Sequence, residues 1–254
     1  MRSVYATDRI LWVQPPDPTM IKVVVFDAYG TLFDVYSIGA LADTLYPGQG
    51  SAISALWRDK QIEYTRLITQ SDPNGATGSR YYQSFWDLTR QSLRYTLARL
   101  KLAHSQDHEN ALMGQYAKLQ PFPENRGVLA QLKAQGMETA ILSNGSPEML
   151  ASAVSGAGLE DLLTRVISVD SVRLFKTAPQ SYALVLQAFP VKADEVLFVS
   201  SNAWDALGAT WFGFTTLWVN RQNLPYETIG PQPSHTGSDL TSVLGITNCS
   251  QRPL

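Results

Sequence analysis

The stretch that begins at Val23 constrains the fold of this chain most strongly. Four apolar residues, Val23 to Phe26, are followed directly by the carboxylate of Asp27. A short apolar run of this kind, with a Gly30-Thr31 turn signal after it, is typical of a strand buried within a sheet. In an open α/β sheet, reacting groups lie just past the carboxyl ends of the strands. Taken alone, the stretch fits two alternatives, a covalent nucleophile at Asp27 or a carboxylate that caps a turn.

The rest of the chain divides into two parts with different patterns. Residues 36 to about 118 carry helical periodicity and no strand signal, which predicts an all-helical block of about 80 residues after the first strand. From Pro121 onwards, short apolar runs alternate with helical segments. Such alternation predicts a parallel sheet covered by helices. The runs predicted as strands are 138–142, 165–169, 196–199 and 215–219.

Both ends of the chain are predicted to be less regular. Three prolines before Met20 prevent residues 1–20 from pairing as a strand or continuing a helix, so we interpret this segment as an N-terminal extension. An ordered arm packed through Trp12 is the alternative. Residues 225–238 are rich in proline, glycine and serine, which predicts a surface loop, and residues 239–244 predict a closing helical turn.

The composition excludes several classes of function. With 254 residues and a formal net charge of -2, the chain lacks the basic surplus that binds nucleic acid or anionic membrane. No apolar stretch reaches the ~20 residues needed to span a bilayer. The single cysteine cannot form an internal disulfide, and one cysteine with three histidines disfavours a zinc site. We therefore expect a cytoplasmic protein that binds neither nucleic acid nor membrane.

Four groups of polar residues lie beside the predicted strands. They are Asp27 with Thr31, Ser143 with Asn144, Lys176, and Ser200, Ser201 and Asn202 with Asp205. Because parallel strands end at the same edge of a sheet, we expect these groups to converge. Lys176 between Asp27 and Asp205 would keep both carboxylates ionised, as nucleophilic attack by Asp27 requires. Taken singly, Lys176 and Asp205 fit surface or cap positions better; taken together at the strand ends, they favour a catalytic site.

These motifs resemble those of the haloacid dehalogenase superfamily. The four motifs are matched by Phe26–Leu32, Ser143–Gly145, Lys176 and Ser200–Asp205. Within the superfamily, Asp27-Ala28-Tyr29 together with Ser201-Asn202-Ala203-Trp204-Asp205 is similar to the L-2-haloacid dehalogenases. The resemblance covers about residues 21–225, including the helical block.

The resemblance implies a fold and a reaction. The fold is α/β, with a Rossmann-like parallel sheet core over residues 21–35 and 120–254 and residues 36–119 inserted as an all-helical cap. The substrate is a small 2-haloacid, and the enzyme is a homodimer that uses no metal and no other cofactor. Asp27 attacks C2 of the (S)-2-haloacid, expels halide with inversion and forms an ester. Water then releases the (R)-2-hydroxy acid from the ester carbonyl of Asp27.

The same resemblance assigns roles to further residues. The catalytic set is Asp27, Thr31, Arg58, Ser143, Lys176, Tyr182, Ser200, Asn202 and Asp205. The substrate-binding set is Ala28, Tyr29, Arg58, Ile62, Phe85, Ser143, Asn144 and Trp204. Arg58 and Asn202 receive the halide, a role that suits Arg58 because a guanidinium presents several donors and stays charged. Plain core packing is the alternative for Phe85 and Trp204, and a solvated helix face is the alternative for Arg58.

Two positions separate the chain from the magnesium-dependent phosphatases of the superfamily. Tyr29 stands where those enzymes carry an aspartate as general acid, and a halide leaves without a proton. Ser201 stands where they place an acid that binds magnesium, an ion that prefers carboxylate ligands. A phosphatase of this superfamily is the first alternative function. A non-catalytic binding protein that keeps the fold is the second.

Three features depart from the dehalogenases themselves. Asp59 stands where relatives have an amide beside Arg58, and it is expected to point away from the halide or to pair with Arg58. Thr177 follows Lys176 where proline is usual. The turn-rich loop over residues 71–79 is longer than in typical members, and it is expected to alter substrate access.

Overall fold

Six parallel strands form one sheet in the order β3-β2-β1-β4-β5-β6. The computed structural model describes residues 20–250, so the predicted extension before Met20 lies outside the described residues. The strands are β1 Val23–Phe26, β2 Glu138–Ser143, β3 Arg165–Ser168, β4 Val196–Ser200, β5 Thr215–Val219 and β6 His235–Gly237. This order is that of a doubly wound sheet, which confirms the predicted Rossmann-like core.

β1 lies at the centre of the sheet and places Asp27 at its edge. β2 pairs with β1 on one side and β4 pairs with it on the other, so that Val23 lies opposite both Glu138 and Val196. All four residues of β1 are buried. A strand covered by helices on both faces needs an unbroken apolar run rather than alternation, which accounts for the run at residues 23–26. The order of strands reverses between β1 and β4, where such sheets bind ligands.

Nine α-helices accompany the sheet within the described residues. They are α1 Ile38–Leu45, α2 Gly50–Ser71, α3 Phe85–Arg99, α4 Gln106–Tyr116, α5 Asn125–Ala134, α6 Pro147–Gly156, α7 Pro179–Ala188, α8 Ala203–Phe212 and α9 Ser242–Ser250. None of those between residues 20 and 250 is long and apolar enough to cross a membrane.

Helices α1 to α4 follow β1 with no strand of the sheet between them, and we call residues 38–116 the helical insert. α2 packs along α3, and α1 packs on α2 and α4. Trp57 Nε1 and Gln61 Nε2 on α2 both donate to Thr89 on α3, at 2.7 Å and 2.8 Å. The predicted all-helical block is confirmed, while its division from the core at residues 36–119 stays a prediction.

Two segments near the C-terminus differ from the prediction. The expected loop over residues 225–238 contains β6, whose residues His235–Gly237 pair with Leu217–Val219 of β5. A strand of three residues has too few positions to show a strand pattern, so the proline, glycine and serine residues around β6 predict a loop instead. The closing helical turn expected over residues 239–244 is α9, which begins later and runs to Ser250.

Glu109 forms an ion-pair network inside the helical insert. Its fully buried carboxylate accepts from Arg94 Nε at 2.7 Å and Nη2 at 2.8 Å, and from Arg90 Nη1 at 3.2 Å. His104 Nε2 lies 2.7 Å from Glu109 Oε2. The hydrogen bond from Arg94 is the main cause that lowers the pKa of Glu109 from 4.5 to about 2. The ionised carboxylate therefore stabilises the insert at neutral pH, because a group with a depressed folded pKa stabilises the fold above its unfolded pKa.

We expect Glu109→Gln to lower the free energy of unfolding at pH 7 by about 2 kcal/mol. The deficit shrinks as pH falls from 4.5 towards 2, because Glu109 then becomes protonated in the wild type as well. Urea unfolding across this pH range measures both effects. Glu63→Gln is the control, since Glu63 pairs with Lys60 at the surface, where such pairs contribute little. Equal losses in the two variants would contradict the network.

Candidate active site

A tight turn directly after β1 holds Asp27 at the edge of the sheet. The Asp27 N–H donates to the Val199 carbonyl of β4 at 2.9 Å. The carbonyl of Ala28 accepts from the backbone of Thr31, Leu32 and Phe33 at 2.9–3.2 Å. Gly30 has φ +95°, a conformation that residues with a Cβ rarely adopt. The Gly-Thr pair that suggested a sharp exit from the strand therefore forms one.

The carboxylate of Asp27 is held from three sides. Its Oδ2 accepts from Thr31 Oγ1 at 2.9 Å and from Asn202 Nδ2 at 2.8 Å. Its Oδ1 accepts from Lys176 Nζ at 3.1 Å. Asp27 is 5% exposed and therefore nearly closed off from bulk water. The three partners of Asp27 lie 4, 149 and 175 positions from it in the sequence, and the fold brings them together.

Lys176 lies between two carboxylates. Its Nζ donates to Asp205 Oδ2 at 2.9 Å as well as to Asp27, and both Lys176 and Asp205 are buried. Asp205 also accepts from Tyr182 at 2.8 Å and from Ser200 at 3.2 Å. The expected position of Lys176 between Asp27 and Asp205 is therefore observed.

Burial shapes the charges of this cluster. Burial alone would lower the pKa of Lys176, but the carboxylates of Asp205 and Asp27 outweigh it and hold that pKa above its usual value. Burial raises the pKa of Asp205 to about 6 despite the opposing effect of Lys176. At neutral pH the cluster consequently holds one ammonium group and the Asp205 carboxylate in ionised form. Burial and Asp205 raise the pKa of Tyr182, so its hydroxyl stays a donor.

Arg58 reaches the site from α2 of the helical insert. Its Nη2 donates to the Tyr29 carbonyl at 3.0 Å and to Asn202 Oδ1 at 3.1 Å. Its Nη1 is buried and has no hydrogen-bond partner among the residues that the structure describes. Since an unpaired buried donor on a cation is costly, this nitrogen marks a place for an anion or another acceptor. The Asn202 amide nitrogen donates to the Tyr29 carbonyl and to Asp27 Oδ2, so the Asn202 side chain lies between Arg58 and Asp27.

Aromatic rings close the site on the side of Tyr29. The Tyr29 ring stacks on Tyr116 at 5.7 Å and lies 5.8 Å from Phe85, with ring centroids as reference points. Burial raises the pKa of Tyr29, so that its hydroxyl is not an acid at neutral pH. Gly145 lies against this ring, and a Cβ there would stand 2.8 Å from Tyr29 Cε2.

Ser143 is the last residue of β2 and Asn144 follows it, and both side chains form hydrogen bonds with groups other than Asp27. Ser143 Oγ accepts from the Gly145 N–H at 3.1 Å, and Asn144 Oδ1 accepts from the Lys176 N–H at 3.0 Å. Among the described contacts, neither side chain hydrogen-bonds to the Asp27 carboxylate. Asn144 thus holds the backbone of Lys176 in place. The sequence predicts a substrate-binding role for Asn144 but not this contact.

A cavity of about 870 Å³ runs between α2 and the core to the Arg58 side of the site. Ile62 and Trp204 line it together with Arg58 and Asn202, whereas Phe85 is buried behind Tyr29. Asp59 also lines the cavity and is exposed. Within residues 20–250, no ion pair joins Asp59 to Arg58, so the pairing considered for these two residues is absent there.

Sequence reasoning missed two residues next to the site. Arg221, just past β5, donates from Nη2 to the Thr31 carbonyl at 3.2 Å, and its guanidinium lies 3.8 Å from the ring centroid of Phe122. The rule that placed Asp27 at a strand end applies equally to Arg221 and could have found it. Tyr116 stacks on Tyr29 from α4, and no local signal marks it because only the fold brings these helices over β1.

The donor set around the site is poor in metal ligands. Within the described part of the chain, no group of three or more His, Cys, Asp and Glu side chains is placed to share a metal ion. Lys176 Nζ lies between the two carboxylates, where it neutralises charge. Ser201 Oγ, at the position compared with a phosphatase metal ligand, is buried and has no hydrogen-bond partner between residues 20 and 250. The Lys176–Thr177 peptide is cis.

Comparison with known proteins agrees with this geometry. The model of a family described as haloacid dehalogenase-like hydrolase matches residues 21–213. The chain belongs to this family. A curated "(S)-2-haloacid dehalogenase" of Pseudomonas sp. (strain YL) is 42% identical over 226 residues, which cover 89% of this chain and 94% of the relative.

Solved structures of the family share the whole fold. A crystal structure of an L-2-haloacid dehalogenase is 52% identical, with a TM-score of 0.87 over 91% of this chain and 100% of that chain. The L-2-haloacid dehalogenase from Xanthobacter autotrophicus, solved with chloropropionic acid covalently bound, is 38% identical. It has a TM-score of 0.81 and covers 90% of this chain and 99% of its own.

We expect Gly145→Ala to lower the free energy of unfolding by about 1–3 kcal/mol, because its Cβ would press on a Tyr29 ring that Tyr116 and Phe85 keep in place. Gly127→Ala in α5 is the matched control. Nothing lies within 4 Å of its added Cβ, so alanine should stabilise the helix by up to ~1 kcal/mol. Urea unfolding of both variants gives the comparison, and a neutral Gly145→Ala would contradict the packing described for Tyr29.

Proposed function

We propose that this haloacid dehalogenase-like hydrolase cleaves the carbon–halogen bond of short-chain (S)-2-haloacids and releases (R)-2-hydroxy acids. The observation that carries the proposal is the arrangement of Asp27 between Lys176 and Asn202, with the unpaired Nη1 of Arg58 on the far side of Asn202. A buried nucleophile thus faces a buried cation that has a free donor. The names of the relatives support the same substrate class.

In the first step, Asp27 attacks C2 of the substrate from the side opposite the halogen. The new C–O bond uses a carboxylate electron pair, and the pair of the C–X bond leaves with the halide, so C2 inverts. Arg58 Nη1 and the Asn202 amide receive the halide. No proton is needed, which agrees with a buried Tyr29 whose pKa is raised by burial, since a phosphate ester would require an acid there.

In the second step, water attacks the ester carbonyl of Asp27. Asp205 accepts the proton of this water, and its pKa of about 6 leaves it ionised at neutral pH. Ser200 and Tyr182 orient Asp205 through their hydrogen bonds. Collapse of the intermediate breaks the bond between the Asp27 carbonyl carbon and the ester oxygen, and that oxygen takes the proton from Asp205 as the hydroxy acid leaves. The second proton of the water passes from the Asp27 carboxyl group to solvent, which restores the carboxylate with Thr31 and Lys176 as its partners. The net reaction consumes one water and gives the hydroxy acid, halide and one proton.

The substrate carboxylate binds next to α6, to Ser143, Asn144 and backbone N–H groups near Ala28. Ile62, Phe85 and Trp204 form the apolar surroundings of C2, which strengthen the ionic contacts by excluding water. The helical insert serves as a cap that brings Arg58 to the halide. We assign the enzyme to the cytoplasm as a homodimer, the form that the resemblance implies.

Halide release from the two enantiomers of 2-chloropropionate tests the proposal. We expect release from the (S) enantiomer only, unchanged by a chelator, because the attacking carboxylate and the halide site have fixed positions and Lys176 supplies the positive charge. Asp27→Ala is the control and should release no halide. Release from the (R) enantiomer alone, or loss of activity with the chelator, would contradict the proposed function.

A further inference from the structure

The segment that carries Lys176 is bound by the helical insert on the side away from the core. From the core, Asn144 accepts from the Lys176 N–H at 3.0 Å. From the insert, Thr69 Oγ1 accepts from the Phe175 N–H at 2.9 Å. Phe175 and Lys176 are adjacent in the sequence, but different parts of the molecule hold their backbone. Asn144, just after β2, binds the N–H of Lys176, and Thr69, near the end of α2, binds the N–H of Phe175.

Tyr82 provides the strongest contact from the insert. Its hydroxyl donates to Asp170 Oδ1 at 2.6 Å, and its ring stacks on the buried Phe175 at 5.2 Å with 28° between the planes. Burial, followed by the hydrogen bond to Asp170, raises the pKa of Tyr82, so the hydroxyl stays protonated and donates. Phe175 also lies 6.4 Å from Phe85, which places its ring between two aromatic residues of the insert.

The turn-rich loop docks on the same segment. The Ser79 N–H donates to the Arg173 carbonyl at 3.1 Å. Gly78 has φ +85°, and a Cβ there would stand 2.2 Å from the Val172 carbonyl oxygen, so only glycine permits this approach. The long loop over residues 71–79 therefore reaches the segment before Lys176.

We propose that these contacts are a latch through which the helical insert positions Lys176. The latch consists of Thr69, Gly78, Ser79 and Tyr82 of the insert and Asp170, Arg173 and Phe175 of the core. Lys176 Nζ must lie within hydrogen-bond reach of both carboxylates, 3.1 Å from Asp27 and 2.9 Å from Asp205. Tyr82 and Thr69 are positioning residues, since they act through Phe175 and touch no reacting atom. This inference rests on the proposed function, because it assigns the insert a second contribution besides Arg58.

Two consequences distinguish positioning from plain stability. A displacement of ~1 Å in a reacting group can cost about 100-fold in rate, so a loosened latch should lower the rate of the chemical steps more than substrate affinity. The groups that face Asp205 are Lys176, Asp27, Tyr182 and Ser200, and Lys176 is the cation that lowers its pKa. If Lys176 withdraws, the pKa of Asp205 rises, and the acid limb of the rate–pH profile moves to higher pH.

Tyr82→Phe is the direct test, because it keeps the stacked ring and removes the hydroxyl. We expect single-turnover halide release from (S)-2-chloropropionate, which follows the first step, to slow by about 10-fold. Steady-state formation of the hydroxy acid, which includes the step that uses Asp205, should show a nearly unchanged KM and an acid limb shifted to higher pH. Thr69→Val should act in the same direction. Tyr81→Phe is the matched control. The side chain of Tyr81, next to Tyr82 in the sequence, is 52% exposed, and its hydroxyl has no hydrogen bond in the described structure. The rate, KM and pH profile of this variant should match those of the wild type.

Hydrogen exchange of the backbone over residues 170–176 gives a readout that needs no activity. Faster exchange in Tyr82→Phe but not in Tyr81→Phe, with the slower rate and shifted acid limb, supports the latch. Unchanged exchange, or faster exchange with wild-type rate and profile, overturns its positioning role. If the wild type releases no halide, the proposed function fails, and exchange alone then decides whether the latch holds the segment.

Discussion

The geometry of the candidate active site depends on one buried ammonium group, Lys176, that two carboxylates share. Removing three charged groups from water costs several kcal/mol per ion, and the cost is offset only when their geometry is good and the remaining polar atoms are paired. Here each oxygen of the two carboxylates has a partner: Thr31 and Asn202 at Asp27, and Tyr182 and Ser200 at Asp205, with Lys176 between them. The network consequently fixes the geometry of the Asp27 carboxylate.

The fold produces this geometry between β1 and β4, where the order of strands in the sheet reverses. β1 and β4 are neighbours, so Asp27 and the segment from Ser200 to Asp205 leave the sheet side by side. β2 brings Asn144 to the backbone of Lys176 from the other side. The helical insert adds Arg58 at one end of the site and the contacts of Tyr82 and Thr69 at the other. Core and insert therefore both hold residues of the same small cluster.

Local patterns in the sequence predicted the core and much of the site, because strand ends and turn signals are short-range features. The run at residues 23–26, Lys176 and Asp205 are such cases, and the structure brings their side chains together. Contacts made only by packing were not predictable. Tyr82 and Asp170 are 88 positions apart, and Tyr116 meets Tyr29 from α4. β6 was missed because three residues carry no periodicity.

The fate of solvent oxygen tests the central claim, covalent attack by Asp27, most directly. With enzyme in excess over (S)-2-chloropropionate in water labelled with oxygen-18, water that attacks the ester carbonyl leaves its oxygen in the enzyme. After one turnover, mass spectrometry should find the label in the peptide that contains Asp27, and the hydroxy acid should carry an unlabelled hydroxyl oxygen from Asp27. Label in the hydroxy acid with none in that peptide would show direct attack by water on C2 and would contradict the account.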